Sequence, residues 1–66
     1  MQEKILVEKL VPAKDASHLL GLKQHTLTVW RHERRGPTYV RLGNRIFYPA
    51  EALNRFIAEN TVSPAA

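Results

Sequence analysis

Between Gly21 and Gly36 the chain contains neither glycine nor proline, and Pro37 follows directly. Gly21 can take a left-handed backbone at a helix end and turn the chain within two or three residues. Gly36 and Pro37 stop whatever helix precedes them. The interval therefore predicts a helix from Lys23 to Arg35, entered by a tight turn from a shorter helix over Ala13 to Leu20. At about 100° per residue, Leu27, Trp30 and the stem of Arg34 fall on one side of the second helix, which is its expected core face. Gln24, His25, Thr28, Val29 and His32 occupy the opposite side, with Arg31 and Arg35 at its flank.

The flanking segments supply the rest of a small core. Pro12 reads as a first-turn residue of helix one, where its missing amide hydrogen would be unpaired anyway, and Asp15 there complements the helix dipole. Ala16, Leu19 and Leu20 form that helix's inward surface, and Ser17 is small enough for a second helix to approach. So short a helix is unstable alone and depends on packing against Leu27 and Trp30. After Pro37, the runs Thr38 to Leu42 and Arg45 to Tyr48 flank Gly43-Asn44 and read as a β-hairpin. Two strands alone are marginal, so the hairpin is expected to lean on the helices through residues such as Val40, Leu42, Ile46 or Tyr48. Pro49 opens a third helix, Ala50 to about Asn60, with Leu53, Phe56 and Ile57 at buried spacing. Met1 to Leu10 has no clean period and is expected to form a short extended or loosely helical arm against the core edge. The expected organisation is one domain over residues 1–60 with a flexible tail over 61–66. The fold class is mainly α with a small hairpin: a winged helix-turn-helix of three helices and a two-stranded wing.

With 66 residues, a domain buries only about 60% of its unfolded surface, which leaves no depth for an enclosed catalytic pocket. Asp15, Ser17 and His18 contain triad residue types but share one short helix, so no enzyme is expected. His25 and His32 lie about 10.5 Å apart along a helix at about 1.5 Å per residue, too far to share one ion. With no cysteine present, neither a metal nor a cofactor is expected. The absence of a signal-peptide pattern and of any long apolar run reads as a soluble intracellular protein with no membrane partner.

The net charge of +4 is unevenly placed. Residues 14–45 carry Lys14, Lys23, Arg31, Arg34, Arg35, Arg41 and Arg45 against Asp15 and Glu33, while the remainder of the chain sums to minus one. The surplus thus sits on the turn, the second helix and the hairpin, where phosphate neutralisation would need it. A solvated basic face with no partner is the alternative. If the face meets duplex DNA, Gln24 can pair with adenine, and the methyls of Thr28 and Val29 can touch thymine. Val29 could instead pack on the wing. Arg31, Arg34, Arg35 and Arg41 are candidates for phosphate contacts, joined by Lys14 and Lys23 on either side of the turn. Arg35 could equally partner the helix dipole. Trp30 is expected in the core rather than stacked on a base.

Taken in order, DASHLLGL, QHTLTVW, Gly36, VRLGNRIFY and LNRFI resemble the small winged helix-turn-helix proteins of the excisionase group, the recombination directionality factors related in fold to MerR-type DNA-binding domains. The resemblance spans roughly Val11 to Ile57. It departs from the group at Lys23, where a capping Ser or Thr is usual, at Pro12 and Ser17, and in a longer stretch between Trp30 and Gly36. It implies a bacterial cytoplasmic, nucleoid-associated protein that binds repeated sites on double-stranded DNA head to tail, bends the duplex and directs an integrase toward excision. It also implies that Gln24, His25 and Thr28 meet bases in the major groove while Asn44 and Arg45 reach the minor groove. A transcriptional regulator of the same fold, or a protein-interaction adaptor using the second helix, remain the alternatives.

Overall fold

The computed structural model describes residues 9–64. In chain order these form β1 (Leu10–Pro12), α1 (Ala13–Leu20), α2 (Gln24–His32), β2 (Val40–Leu42), β3 (Arg45–Pro49) and α3 (Ala50–Glu59). The three helices and the β2–β3 hairpin give the winged helix-turn-helix architecture expected from the sequence. The sheet, however, has three strands rather than two. Its order is β1-β3-β2, antiparallel throughout, with Leu10 opposite Pro49, Val11 opposite Tyr48 and Pro12 opposite Phe47. Residues 1–8 of the expected arm lie outside the described residues.

Strand β1 corrects the placement of Pro12. Held opposite Phe47, it keeps an extended backbone (ψ 149°) and precedes helix α1 instead of lying in its first turn. Proline is tolerated at the edge of a sheet because it has no amide to donate outward. Pro49 repeats the arrangement, ending β3 with ψ 138° immediately before α3. Neither helix has a side-chain cap, but Asp15 and Glu51 put a carboxylate in each first turn, where it complements the dipole.

The turn between α1 and α2 closes as expected. Gly21 is left-handed (φ 70°) and its amide donates to the His18 carbonyl at 3.1 Å, while Leu22 donates to Ser17 at 2.8 Å. This is a Schellman motif, and it satisfies carbonyls that the helix end would otherwise leave unpaired. Ser17 is buried, and its hydroxyl donates to the Lys14 carbonyl at 2.7 Å.

The same motif ends α2 earlier than Arg35. Arg34 donates to Arg31 at 3.2 Å and Arg35 to Trp30 at 2.9 Å, with Arg34 itself left-handed at φ 60°. Arginine in that conformation costs about 1–2 kcal/mol that glycine would not, which is why nothing in the sequence signals the stop. The reversal also carries Arg34 into solvent, so its stem does not belong to the core.

Ala16, Leu27, Tyr48 and Leu53 form the buried centre, one residue from each helix and one from β3. Val11, Leu20, Leu22, Trp30, Tyr39 and Ile46 pack around it. Trp30 is half-buried, its ring tilted against Phe56 at a centroid distance of 5.6 Å. Leu19, expected inward, is 70% exposed, and Ile57 and Leu42 are also exposed. Helix α1 turns Ala16 and Ser17 inward, with Ala13 and Leu20 packed beside them, which leaves Leu19 on the solvent side. In the wing, strand alternation sends Ile46 and Tyr48 inward and pairs Leu42 with Arg45. Of the two turn residues only Gly43 has a positive φ, 62°, as in a type II′ hairpin turn.

Candidate nucleic-acid interface

Helix α2 stands on Leu27, which is 1% exposed, and turns Gln24, His25 and His32 outward. Thr28 and Val29 are half-buried on its shoulder. The Thr28 hydroxyl donates back to the Gln24 carbonyl at 3.2 Å and accepts from Arg31 Nη2 at 3.2 Å. With both functions engaged inside the protein, Thr28 has its methyl group left for an external partner. Lys23 precedes the helix with an extended backbone (ψ 148°) and forms no side-chain cap.

The cations fall into three structural settings. Lys14, Lys23, Arg34 and Arg41 are exposed, and among the described residues none of them forms an ion pair. Arg35 and Arg45 are also exposed but each lies over an aromatic ring: Arg35 over Trp30 at 5.2 Å and Arg45 over Phe47 at 5.2 Å. Such stacking holds the flexible stem in place while leaving the guanidinium edge free to bond. Arg35 also meets Glu33 at 3.4 Å, in an exposed pair of little energetic weight. Arg31 alone is drawn inward. Its Nη1 donates to the Tyr48 hydroxyl at 2.8 Å, and its guanidinium lies 5.8 Å from the centre of the Tyr39 ring.

A shallow groove of about 310 Å³ follows the end of α2 into the wing, with Arg31, Arg34, Arg35, Thr38 and Tyr39 among its walls. Its geometry depends on Gly36. That residue has φ 89°, and a Cβ there would stand 2.7 Å from Cε3 of Trp30. The chain thus passes against the indole face on its way from α2 to β2. At the other end of the wing, Arg41, Asn44 and Arg45 are all exposed around the turn.

Sequence reasoning placed Tyr39 and Tyr48 in the hairpin but gave neither a part in the site. Their rings lie 6.1 Å apart, and Tyr48 is 1% exposed. The available signal was Tyr48 itself: an inward strand position occupied by a phenol demands a hydrogen-bond partner, though nothing in the spacing singles out Arg31, 17 residues away. Among the described residues no group of three or more His, Asp or Glu is placed to hold a metal, and no helix is long and apolar enough to cross a membrane.

In comparisons with known proteins, no curated protein and no solved structure gives a match. Residues 13–61, from the first residue of α1 to beyond the end of α3, match the family model of the helix-turn-helix domain. On that match and on the fold, the chain belongs to the helix-turn-helix domain family of DNA-binding proteins.

Proposed function

We propose that the protein recognises specific duplex DNA sites as an excisionase-type factor, with α2 in the major groove and the β2–β3 wing along the adjacent minor groove. The observation that carries the reading is the exposed polar face of α2, Gln24, His25 and His32, with exposed cations before it at Lys23 and after it at Arg34 and Arg35. Gln24 is free to bond an adenine edge, and the methyls of Thr28 and Val29 suit thymine. Lys14, Lys23, Arg34, Arg35 and Arg41 supply backbone contacts. Asn44 and Arg45 at the wing turn serve the minor groove, where arginine favours narrow A·T-rich segments. The helix-turn-helix family includes excisionase-like proteins, and the order of motifs along the chain supports that branch.

This reading makes the protein an architectural partner rather than a catalyst. It binds adjacent repeats head to tail, bends the duplex and biases an integrase toward excision, as one domain with a short tail. A gel-shift titration on duplexes carrying one, two and three direct repeats tests it. A ladder of cooperative shifts is expected, and with about four or five phosphate contacts log K should fall with log salt at a slope of roughly −4. Repeats bound independently and left straight would favour a transcriptional regulator, and no binding at low salt would favour a protein-interaction adaptor. Excision by an integrase, assayed with and without the protein, tests the recombination role.

A further inference from the structure

Among the described residues, Arg31 is the one cation of the interface whose guanidinium hydrogen-bonds a side chain of a distant element. Nη1 donates to Tyr48 on β3, Nη2 donates to Thr28 on α2, and the group lies over the ring of Tyr39 in the segment leading to β2. Tyr48 is 1% exposed, so Arg31 takes the place of water as partner to its hydroxyl. Moving Arg31 onto a phosphate would break these bonds and leave a buried phenol unpaired, which is unfavourable. One side chain therefore joins the recognition helix to both sides of the wing.

We propose that Arg31 is a positioning residue that fixes the angle between α2 and the wing, and so sets the separation between major-groove and minor-groove contacts, instead of neutralising a phosphate. The proposal rests on the DNA-binding reading above but makes a claim about the free protein as well. With the link intact, helix and wing form a single ruler, and DNA whose two grooves are offset differently is rejected. With the link cut, the wing swings about its strand root, and binding must first restore the angle.

Tyr48→Phe removes only the hydroxyl and keeps the ring that fills the core, while Arg31→Met removes the donor. Residual dipolar couplings of backbone amides in the free protein report the angle directly. One alignment tensor should fit α2 and the β2–β3 strands in the wild type, and two should be needed in each variant. On duplex DNA each variant should bind about tenfold more weakly, the size expected when a charge-assisted bond must be replaced by ordering at the time of binding. The salt slope should stay at the wild-type value, the preference at the wing-contacted base pairs should flatten, and the double variant should bind no worse than either single one. A phosphate contact behaves otherwise: Arg31→Met would lower the salt slope by about one, with Tyr48→Phe unchanged from wild type, and that result overturns the proposal. If Arg31→Met does not fold, Tyr48→Phe alone still decides, because a single shared tensor together with wild-type affinity refutes the link. A wild-type protein that binds no duplex at low salt refutes the DNA reading, and the couplings then still show whether Arg31 holds the wing.

Discussion

Replacing Gly36 by alanine isolates the contact between the α2–β2 connection and Trp30. The new methyl would sit 2.7 Å from Cε3, 3.3 Å from Cβ and 3.4 Å from Cδ2 of the indole, against an optimum of about 3.5–4.0 Å between carbons. The ring has little room to retreat, because Phe56 packs on it at 5.6 Å and Arg35 lies over it at 5.2 Å. Overpacking of this kind costs about 1–3 kcal/mol, and alanine at a left-handed φ adds about 1–2 kcal/mol. The sum, about 2–5 kcal/mol, is a large part of the roughly 3–10 kcal/mol that holds a domain of this size together. Gly21→Ala is the internal comparison: φ there is 70°, but nothing lies within 4 Å of where its methyl would stand, so that variant should carry the strain alone. Urea unfolding, followed by the fluorescence of the single tryptophan and by far-UV circular dichroism, measures both. With m near 1 kcal/mol/M, the midpoint of Gly36→Ala should lie about 1–3 M below that of Gly21→Ala. Equal midpoints would mean that Trp30 yields freely and that the indole does not fix the shape of the groove.

Arg34→Gly should raise stability by about 1 kcal/mol, seen as a melting temperature higher by about 4–8 °C, while reducing DNA affinity and lowering the salt slope by about one. An unchanged or lower melting temperature would show that the left-handed arginine is not strained. Gln24→Ala should cost about 1–3 kcal/mol of binding, confined mainly to one base pair, so a selection profile unaltered at every position removes Gln24 from the reading set. Arg45→Ala should abolish A·T preference beside the helix-contacted bases if the wing reads the minor groove; a uniform loss across sequences would instead mark Arg45 as a backbone contact.

The punctuation of the sequence made most of the fold legible. Gly21, Pro49 and Gly43-Asn44 mark the turn, the third helix and the hairpin because each restricts the backbone locally, and the structure puts those features there. Two features escaped for want of a local signature. Strand β1 is three residues long, and it exists only because β3 offers a partner far along the chain; no period can develop in so short a run. The end of α2 depends on a left-handed arginine, a conformation that residue rarely adopts, so the glycine and proline beyond it drew the expected boundary too far along. Leu19 shows the limit of wheel arguments on a two-turn helix, where one residue of rotation decides between core and solvent. In the site, residue type marked which side chains could meet DNA, and exposure of Gln24, His25, Arg34 and Arg45 is compatible with that. What sequence spacing did not reveal is that Arg31 turns toward Tyr48, since the two are 17 residues apart and meet only through the tertiary fold.

Strand β3 lies in the middle of the sheet, clasped by β1 on one side and β2 on the other. The wing, which on the proposed reading reaches for DNA, is thereby rooted against Leu10–Pro12 and not hung from its own hairpin. Loosening Val11 opposite Tyr48 would free the base of the wing without touching any residue at its tip, so on the proposed reading the grip on a duplex is tunable from the far end of the sheet.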